Sequence, residues 1–376
     1  MVDLARKILL HDKVRFLITV SGVAFAVTLV FVQVGLFEGL LSNASVTIER
    51  IDADLWVTAR NTPNVDFSNT FPETYVQRVR SVPGVARADN LIVWFGRVSL
   101  PTGANENAVL YAQENFDRWN LPWRIESGRP CDLRRGKYVI LDDSAQKRFG
   151  RFAVGDYREI FGQRLKIIGR TREARSFTTN PIAFVDYRLA QSMMRQELQN
   201  RTTYILVKLA PGADLEAARA EIRRRLPYND VHTRSEWASR SRTYWTSSTG
   251  LGLNMIMTVF LGCLVGVVVV AQTLYTSTME HIKEFATVKA IGGRDADIFA
   301  IIGKQAAIAA VVGFALGAGM ALALRPAMAA IDLKLILTPT FAAYVFLGTL
   351  VLCVAASAIS FRKVATIDPA LVFRGV

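Results

Sequence analysis

The chain has 376 residues, 51% of them hydrophobic, and a formal net charge of +13. Its mean hydropathy is positive, which argues against an ordinary soluble chain, because part of it must face lipid or an unusually large core. Residues 42–242 hold 32 Lys/Arg against 23 Asp/Glu, so +9 of the charge sits in one central segment. That balance fits anionic lipid head groups, an acidic partner or a merely Arg-rich surface.

Residues 1–15 mix Leu4, Ile8 and Leu9 with Arg6, Lys7, Lys13 and Arg15, the pattern of a short amphipathic helix on the inner membrane surface. Residues 16–37 then carry no charge before Glu38. Roughly 20 residues, at about 1.5 Å each, cross a hydrocarbon core of about 30 Å, so residues 16–41 are expected to form a first span. The run exceeds the roughly 7–15 residues of a signal-peptide core, and no small-x-small cleavage site precedes Glu38, so the span is expected to be retained.

Residues 42–242 read as a folded, mixed α/β extracytoplasmic domain. Leu55–Ala59 is expected as a strand and residues 72–81 as a helix, with Pro72 in its first turn and Arg78 and Arg80 near its negative end. A V-P-G-V turn at 82–85 leads into an extended run through Val98. Near the far end, residues 203–209 are strand-like, Pro211 and Gly212 turn, and Asp214 caps a helix ending in Arg223, Arg224 and Arg225 before a short strand at Val231. Short strands are expected between these units, at 107–112, 138–141, 164–168 and 182–185. Two similar strand–helix–strand units around a β-rich insertion predict one domain with a discontinuous half, set next to the membrane. Cys131 is the segment's single cysteine, so no disulfide forms within it.

Residues 243–279 are 37 uncharged positions, about 55 Å as one helix and some 25 Å more than the hydrocarbon core needs. A stalk (the polar residues 243–250) joined to a second span is expected, with Gly250 and Gly252 able to bend it. A loop at 280–304, a third span at 305–324, a short outer loop at 325–337, a fourth span at 338–361 and a tail at 362–376 complete the chain. Lys and Arg number four before the first span, four in 280–304 and three after Phe361, against two in 325–334. Positive-inside therefore places both termini and the 280–304 loop in the cytoplasm, with 42–242 outside the inner membrane. Nucleic acid is then no partner. Small residues recur at four-residue spacing in Gly35/Gly39, Gly262/Gly266 and Gly313/Gly317, which lets helix backbones approach closely. The spans hold almost no ionisable residues, so no polar conduit for a charged substrate runs between them.

Chemistry is sparse. The three histidines, His11, His232 and His281, form no metal-ligand motif, and there is no nucleophile elbow and no phosphate loop. An embedded enzyme is unsupported and no cofactor is expected. ATP, if it is consumed, is bound by another subunit.

Residues 280–292 read E-H-I-K-E-F-A-T-V-K-A-I-G, which resembles the E-x-x-x-E-[I/F]-[A/G]-x-x-[K/R]-A-[I/L]-G stretch of the FtsX-like ABC permeases. The end, I-D-P-A-L-V-F-R at 367–374, resembles their terminal D-P-A segment. Residues 6–17 and the I-D-A-D-L-W-V at 51–57 resemble the DevC-type exporter permeases. The resemblance covers nearly the whole chain. It implies four spans with an inserted domain of the MacB-like periplasmic core type, a homodimer, and a separate ABC ATPase docked on a coupling helix. The docking residues it implies are Glu280, Ile282, Glu284, Phe285, Ala286, Lys289 and Gly292. Among these, Ile282, Phe285 and Ala286 are expected to offer an apolar ridge to the partner, and Glu280 and Glu284 to form a like-charged pair that a basic groove would offset. Further implications are mechanotransmission, a periplasmic adaptor and an outer-membrane duct. A division-type FtsX regulator of a cell-wall hydrolase and a Lol-type lipoprotein-extracting permease are the alternatives.

Overall fold

The structure, a computed structural model, describes residues 12–100, 102–174, 176–177, 180–290, 292–331 and 333–365. The amphipathic segment before residue 12 and the D-P-A segment lie outside the described residues. The chain divides into two compact units, Met1–Gly39 with Leu253–Val376, and Leu40–Gly252.

The Leu40–Gly252 unit is built on one sheet. Its strands are β1 (Leu55–Ala59), β2 (Phe71–Pro72), β3 (Val85–Ser99), β4 (Asn105–Gln113), β5 (Ile125–Ser127), β6 (Tyr138–Asp142), β7 (Tyr157–Ile160), β8 (Gln163–Thr171), β9 (Ile182–Asp186), β10 (Arg201–Thr202), β11 (Tyr204–Leu209) and β12 (Asn229–Thr233). The order is β12-β1-β11-β3-β4-β9-β6-β8-β5, with β7 pairing both β3 and β8, while β2 and β10 form a separate two-stranded piece. The path β3-β4-β9-β6-β8-β7 thus returns to β3 through the Val98–Ile160 and Ser99–Glu159 pairs and closes a small barrel. Closure removes the exposed edges that an open insertion would leave. Alternate positions, among them Leu110, Leu141, Ile160, Leu165, Ile167 and Val185, gather in one core cluster, as the two-residue side-chain period requires.

The discontinuous half expected from the sequence is present. Strand β1 lies antiparallel between β11 and β12, and Val76, Val79 and Ile222 from the helices Tyr75–Arg80 and Leu215–Arg225 pack with Leu55, Val57, Ile205 and Val207. Asp214 caps the second helix by accepting from the N–H groups of Glu216 and Ala217. The first helix is shorter than residues 72–81, because Pro72 pairs with Arg201 in β2–β10 instead of opening the helix.

Among the described residues four helices are long and apolar enough to cross a membrane: Lys13–Arg50, Leu251–Glu280, Asp295–Ala330 and Pro339–Ala358, the last within a helix that runs to Ala365. The end of the first helix differs from the sequence reading. The first helix continues to Arg50, nine residues past the expected end of its span, and buries Ala44, Thr47 and Ile48. Residues 243–279 divide at Gly250, where the sequence reading allows a bend. A helix at Arg234–Thr243 passes into a π-turn at Tyr244–Ser248, and Gly250 at φ +71° breaks the chain before Leu251.

Candidate functional site

The segment singled out by sequence is a separate short helix. The helix Leu251–Glu280 stops at Glu280, His281 turns, and Ile282–Ala290 follows. The break is slight, since the N–H groups of Glu284 and Phe285 both bond to the His281 carbonyl, at 3.1 and 3.2 Å. At the other end Gly292 takes φ +95°, and the Gly293 N–H bonds to the Val288 carbonyl at 2.9 Å. A Cβ on Gly293 would stand 2.6 Å from the Val288 side chain, so the reversal needs both glycines.

Two expectations are corrected here. Phe285 and Ala286 do not form a ridge open to a partner, because they are 1% and 2% exposed. Phe285 packs on Ile298 and Ile302, with Val288 and Ile301 alongside. The apolar face is covered by the chain's own third long helix, which begins at Asp295, ten residues before the charge-free stretch. Nor are Glu280 and Glu284 an uncompensated pair. Glu280 accepts from both terminal nitrogens of Arg15 in a two-pronged ion pair, and Glu284 takes His281 Nδ1 at 2.8 Å. Arg15 also holds Asp12 at 3.0 Å. The bidentate geometry fixes direction as well as distance.

The outward face is therefore polar. Glu284 keeps half of its side-chain surface in solvent, and Thr287 is exposed beside it. Ile282 is half-buried. Lys289, mostly covered, reaches Asp295 at 2.9 Å and ties the end of the short helix to the start of the next. What remains is a short helix held on three sides by an ion pair, an apolar seat and a glycine turn.

All six glycines named above lie where neighbouring segments of the same chain approach. A Cβ on Gly262 would stand 2.8 Å from Leu29, and one on Gly266 2.9 Å from Ala26. On Gly313 it would stand 2.6 Å from Val23, and on Gly317 2.7 Å from the Ala24 carbonyl. A Cβ on Gly35 would stand 2.7 Å from Leu335, its carbonyl takes the Ile336 N–H at 3.0 Å, and a Cβ on Gly39 would collide with the Lys334 carbonyl. Gly22, absent from the spacing pairs above, is a further such position, where a Cβ would stand 2.5 Å from Val269. Its four-residue spacing to Ala26 was the available signal. Among the described residues no cluster of His, Cys, Asp or Glu is arranged to hold a metal ion.

Two family models match the chain in succession. The family model of the MacB-like periplasmic core domain matches residues 16–225, and that of the FtsX-like permease C-terminal matches residues 256–369. An uncharacterized ABC transporter permease of Mycobacterium tuberculosis is 24% identical over 368 residues, covering 96% of each chain. Another, from Methanocaldococcus jannaschii, is 21% identical over 332 residues, covering 84% of this chain and 82% of its own. Among solved structures, the periplasmic region of MacB from Actinobacillus actinomycetemcomitans matches 50% of this chain and 92% of its own at 14% identity, with a TM-score of 0.39.

Proposed function

The chain belongs to the MacB-like and FtsX-like family of ABC transporter permeases, and from that premise we propose that it is the membrane subunit of an export complex driven by a separate ATPase. The family implies the ATPase partner. We place its docking surface on the outward face of Ile282–Ala290, centred on Glu284, with Glu280, Lys289 and Gly292 setting the helix's position. One observation carries the reading: the helix has already buried Phe285 and Ala286 on its own chain. Its polar face is thereby presented at a fixed angle, and a push on it passes into the third long helix rather than bending a free loop.

The rest of the mechanism follows from how little the spans offer. With almost no ionisable side chain between the helices, substrate is handled by the extracytoplasmic domain, which the ATPase moves by mechanotransmission. A DevC-type arrangement, with a second copy of the permease, a periplasmic adaptor and an outer-membrane duct in a cell inner membrane, completes the proposal. Replacing Glu284 by Lys tests the docking surface. An exposed ion pair contributes about 0–1 kcal/mol, so expression and folding should be unchanged while ATPase co-purification falls several-fold. Full recovery of the ATPase with the Glu284→Lys chain would move the docking surface elsewhere.

A further inference from the structure

The Leu40–Gly252 unit is entered and left by two chain segments that are built differently. The incoming one is the end of the first long helix, which runs unbroken to Arg50. The outgoing one is the helix Arg234–Thr243, followed by the π-turn and Gly250. Over residues 44–54 the two are lashed together. Ser241 Oγ, fully buried, donates to the Ala44 carbonyl at 2.8 Å. Arg242 donates through Nε to Ser45 Oγ at 2.8 Å and pairs with Glu49. At the other end of the outgoing helix the Nε and backbone N–H groups of Arg234 donate to the carbonyls of Ala53 and Asp54, both at 3.1 Å. Ile48 and Ile51 of the incoming segment share one core cluster with Trp237 and Ala238 of the outgoing helix. The sheet joins the same knot. Lys208 of β11 bridges Asp52 and Asp54 at 2.7 and 3.0 Å, Arg87 of β3 reaches Asp52 at 3.0 Å, and Tyr111 of β4 is bonded to Thr47 at 3.0 Å. The I-D-A-D stretch at 51–54 is thus the point where both segments are tied to the sheet.

Trp245 is the last residue of the outgoing segment seated on the incoming helix, buried with Ala44 and packed by Leu40 and Leu41. Beyond it Ser247, Ser248, Gly250 and Leu251 are exposed. Thr246 and Thr249 bond back to the carbonyls of Thr243 and Trp245, within the segment itself. Gly250 takes φ +71°, and a Cβ there would meet no atom within 4 Å, so its dihedrals turn against no neighbour. At Gly252 a Cβ would stand 2.2 Å from the Thr246 carbonyl, so the turn also needs a bare backbone where it folds back. We propose that the first helix drives the outer unit and that residues 246–250 are a slack joint to the second. A continuous helix passes on a push or a tilt along its axis, whereas a π-turn ending in an unpacked glycine absorbs both. The stiffness of the two segments stands on this geometry alone. The source of the push rests on the export reading given above.

Stiffness is tested by amide hydrogen exchange on the full chain in lipid nanodiscs, with no ATPase present. Peptides covering residues 42–50 and 236–243 should be protected, and those covering 246–251 should exchange roughly tenfold faster or more. Equal protection on the two sides of Trp245 overturns the joint. The drive is tested by coupled ATP turnover with the ATPase subunit added. A Gly-Ser pair inserted between Ser248 and Thr249 lengthens the joint and should leave turnover within about twofold. Ser42→Gly with Asn43→Gly softens the first helix without shifting its register, and should lower turnover roughly fivefold or more while residues 236–243 stay protected. Loss of turnover in an insertion chain that keeps 236–243 protected makes the second helix the driver and overturns the proposal. So does full turnover in the glycine variant. An unmodified complex with no coupled turnover refutes the export reading and the drive with it, and the joint is then decided by exchange.

Discussion

Two buried side chains of the outer unit titrate in opposite senses, and each adds its own slope to the unit's stability against pH. His232 is 9% exposed, stacked on Trp237 at 5.0 Å with its Nε2 unbonded, and burial lowers its pKa to about 4. Between about pH 6.5 and 4 the unfolded chain binds a proton that the folded imidazole refuses, so this group makes the fold weaker as pH falls. Asp66, raised to about 7 by burial, does the reverse. Its folded form keeps a proton that the unfolded chain gives up above about pH 4, so it makes the fold stronger as pH falls from 7. Each slope is about 1.4 kcal/mol per pH unit while the two forms differ by one proton, and between about pH 6.5 and 4 the two nearly cancel. Between pH 6 and pH 4.5 variants of the two groups should therefore depart from the intact chain in opposite directions. Asp66→Asn should lose about 2 kcal/mol over that interval, and His232→Gln should gain a similar amount, as read from thermal melts. Parallel behaviour of the two variants would mean that at least one of these groups is solvated in the folded chain. Sequence alone placed neither residue inside, since a lone Asp in a loop and a lone His near a strand end read as surface.

At the scale of elements, the short helix Ile282–Ala290 and the start of Asp295–Ala330 form one packed corner, and each face of that helix should respond differently to substitution. Phe285→Ala empties a side chain that is 1% exposed between Ile298 and Ile302, a truncation that costs about 3–5 kcal/mol in a well-packed site. It should release the corner, seen as faster proteolysis of the 280–304 region, and cut coupled ATP turnover even where the ATPase still binds. Glu284→Lys, on the other face, should leave proteolysis unchanged. Identical protease sensitivity of the two variants would sink this division. The i, i+3, i+4 spacing of Ile282, Phe285 and Ala286 showed that one face of the helix is covered, but spacing cannot say by what. Ile298 and Ile302, one turn apart in a charged stretch, carried the missing information. They were hidden because the third span was read from its charge-free residues alone. In the outer domain the longer strands were legible because they are continuous apolar runs. Strand β7 was missed because Tyr157, Arg158 and Glu159 look like loop, and only Ile160 is buried. The closure of the barrel follows from that strand and was not readable without it.

For the whole molecule, the structure says which helix ends share a side, and charge says which side that is. Arg15 at the start of the first helix pairs with Glu280 at the end of the second, and Lys289 beside the second pairs with Asp295 at the start of the third. These ends form one pole of the membrane unit. Gly35 and Gly39 on the first helix instead meet Lys334 to Leu337 in the loop between the third and fourth, which defines the opposite pole. The first pole carries Lys13, Arg15, Lys289, Arg294 and Lys304, and from the positive-inside preference we propose that it faces the cytoplasm, with the Leu40–Gly252 unit outside. A native probe is available, because Cys131 is exposed in the outer unit while Cys263 and Cys353 lie in membrane-length helices. In intact spheroplasts a membrane-impermeant thiol reagent should label the unmodified chain, and Cys131→Ser should abolish that labelling. For the first pole Ala296 is a suitable site, because it is exposed and, unlike its neighbour Asp295, its side chain carries no ion pair to break. A Cys131→Ser, Ala296→Cys chain should stay unlabelled until the membrane is permeabilised. Labelling of the Cys131→Ser, Ala296→Cys chain in intact spheroplasts, with Cys131 of the unmodified chain unlabelled in a parallel preparation, would invert the orientation and remove the cytoplasmic docking surface with it.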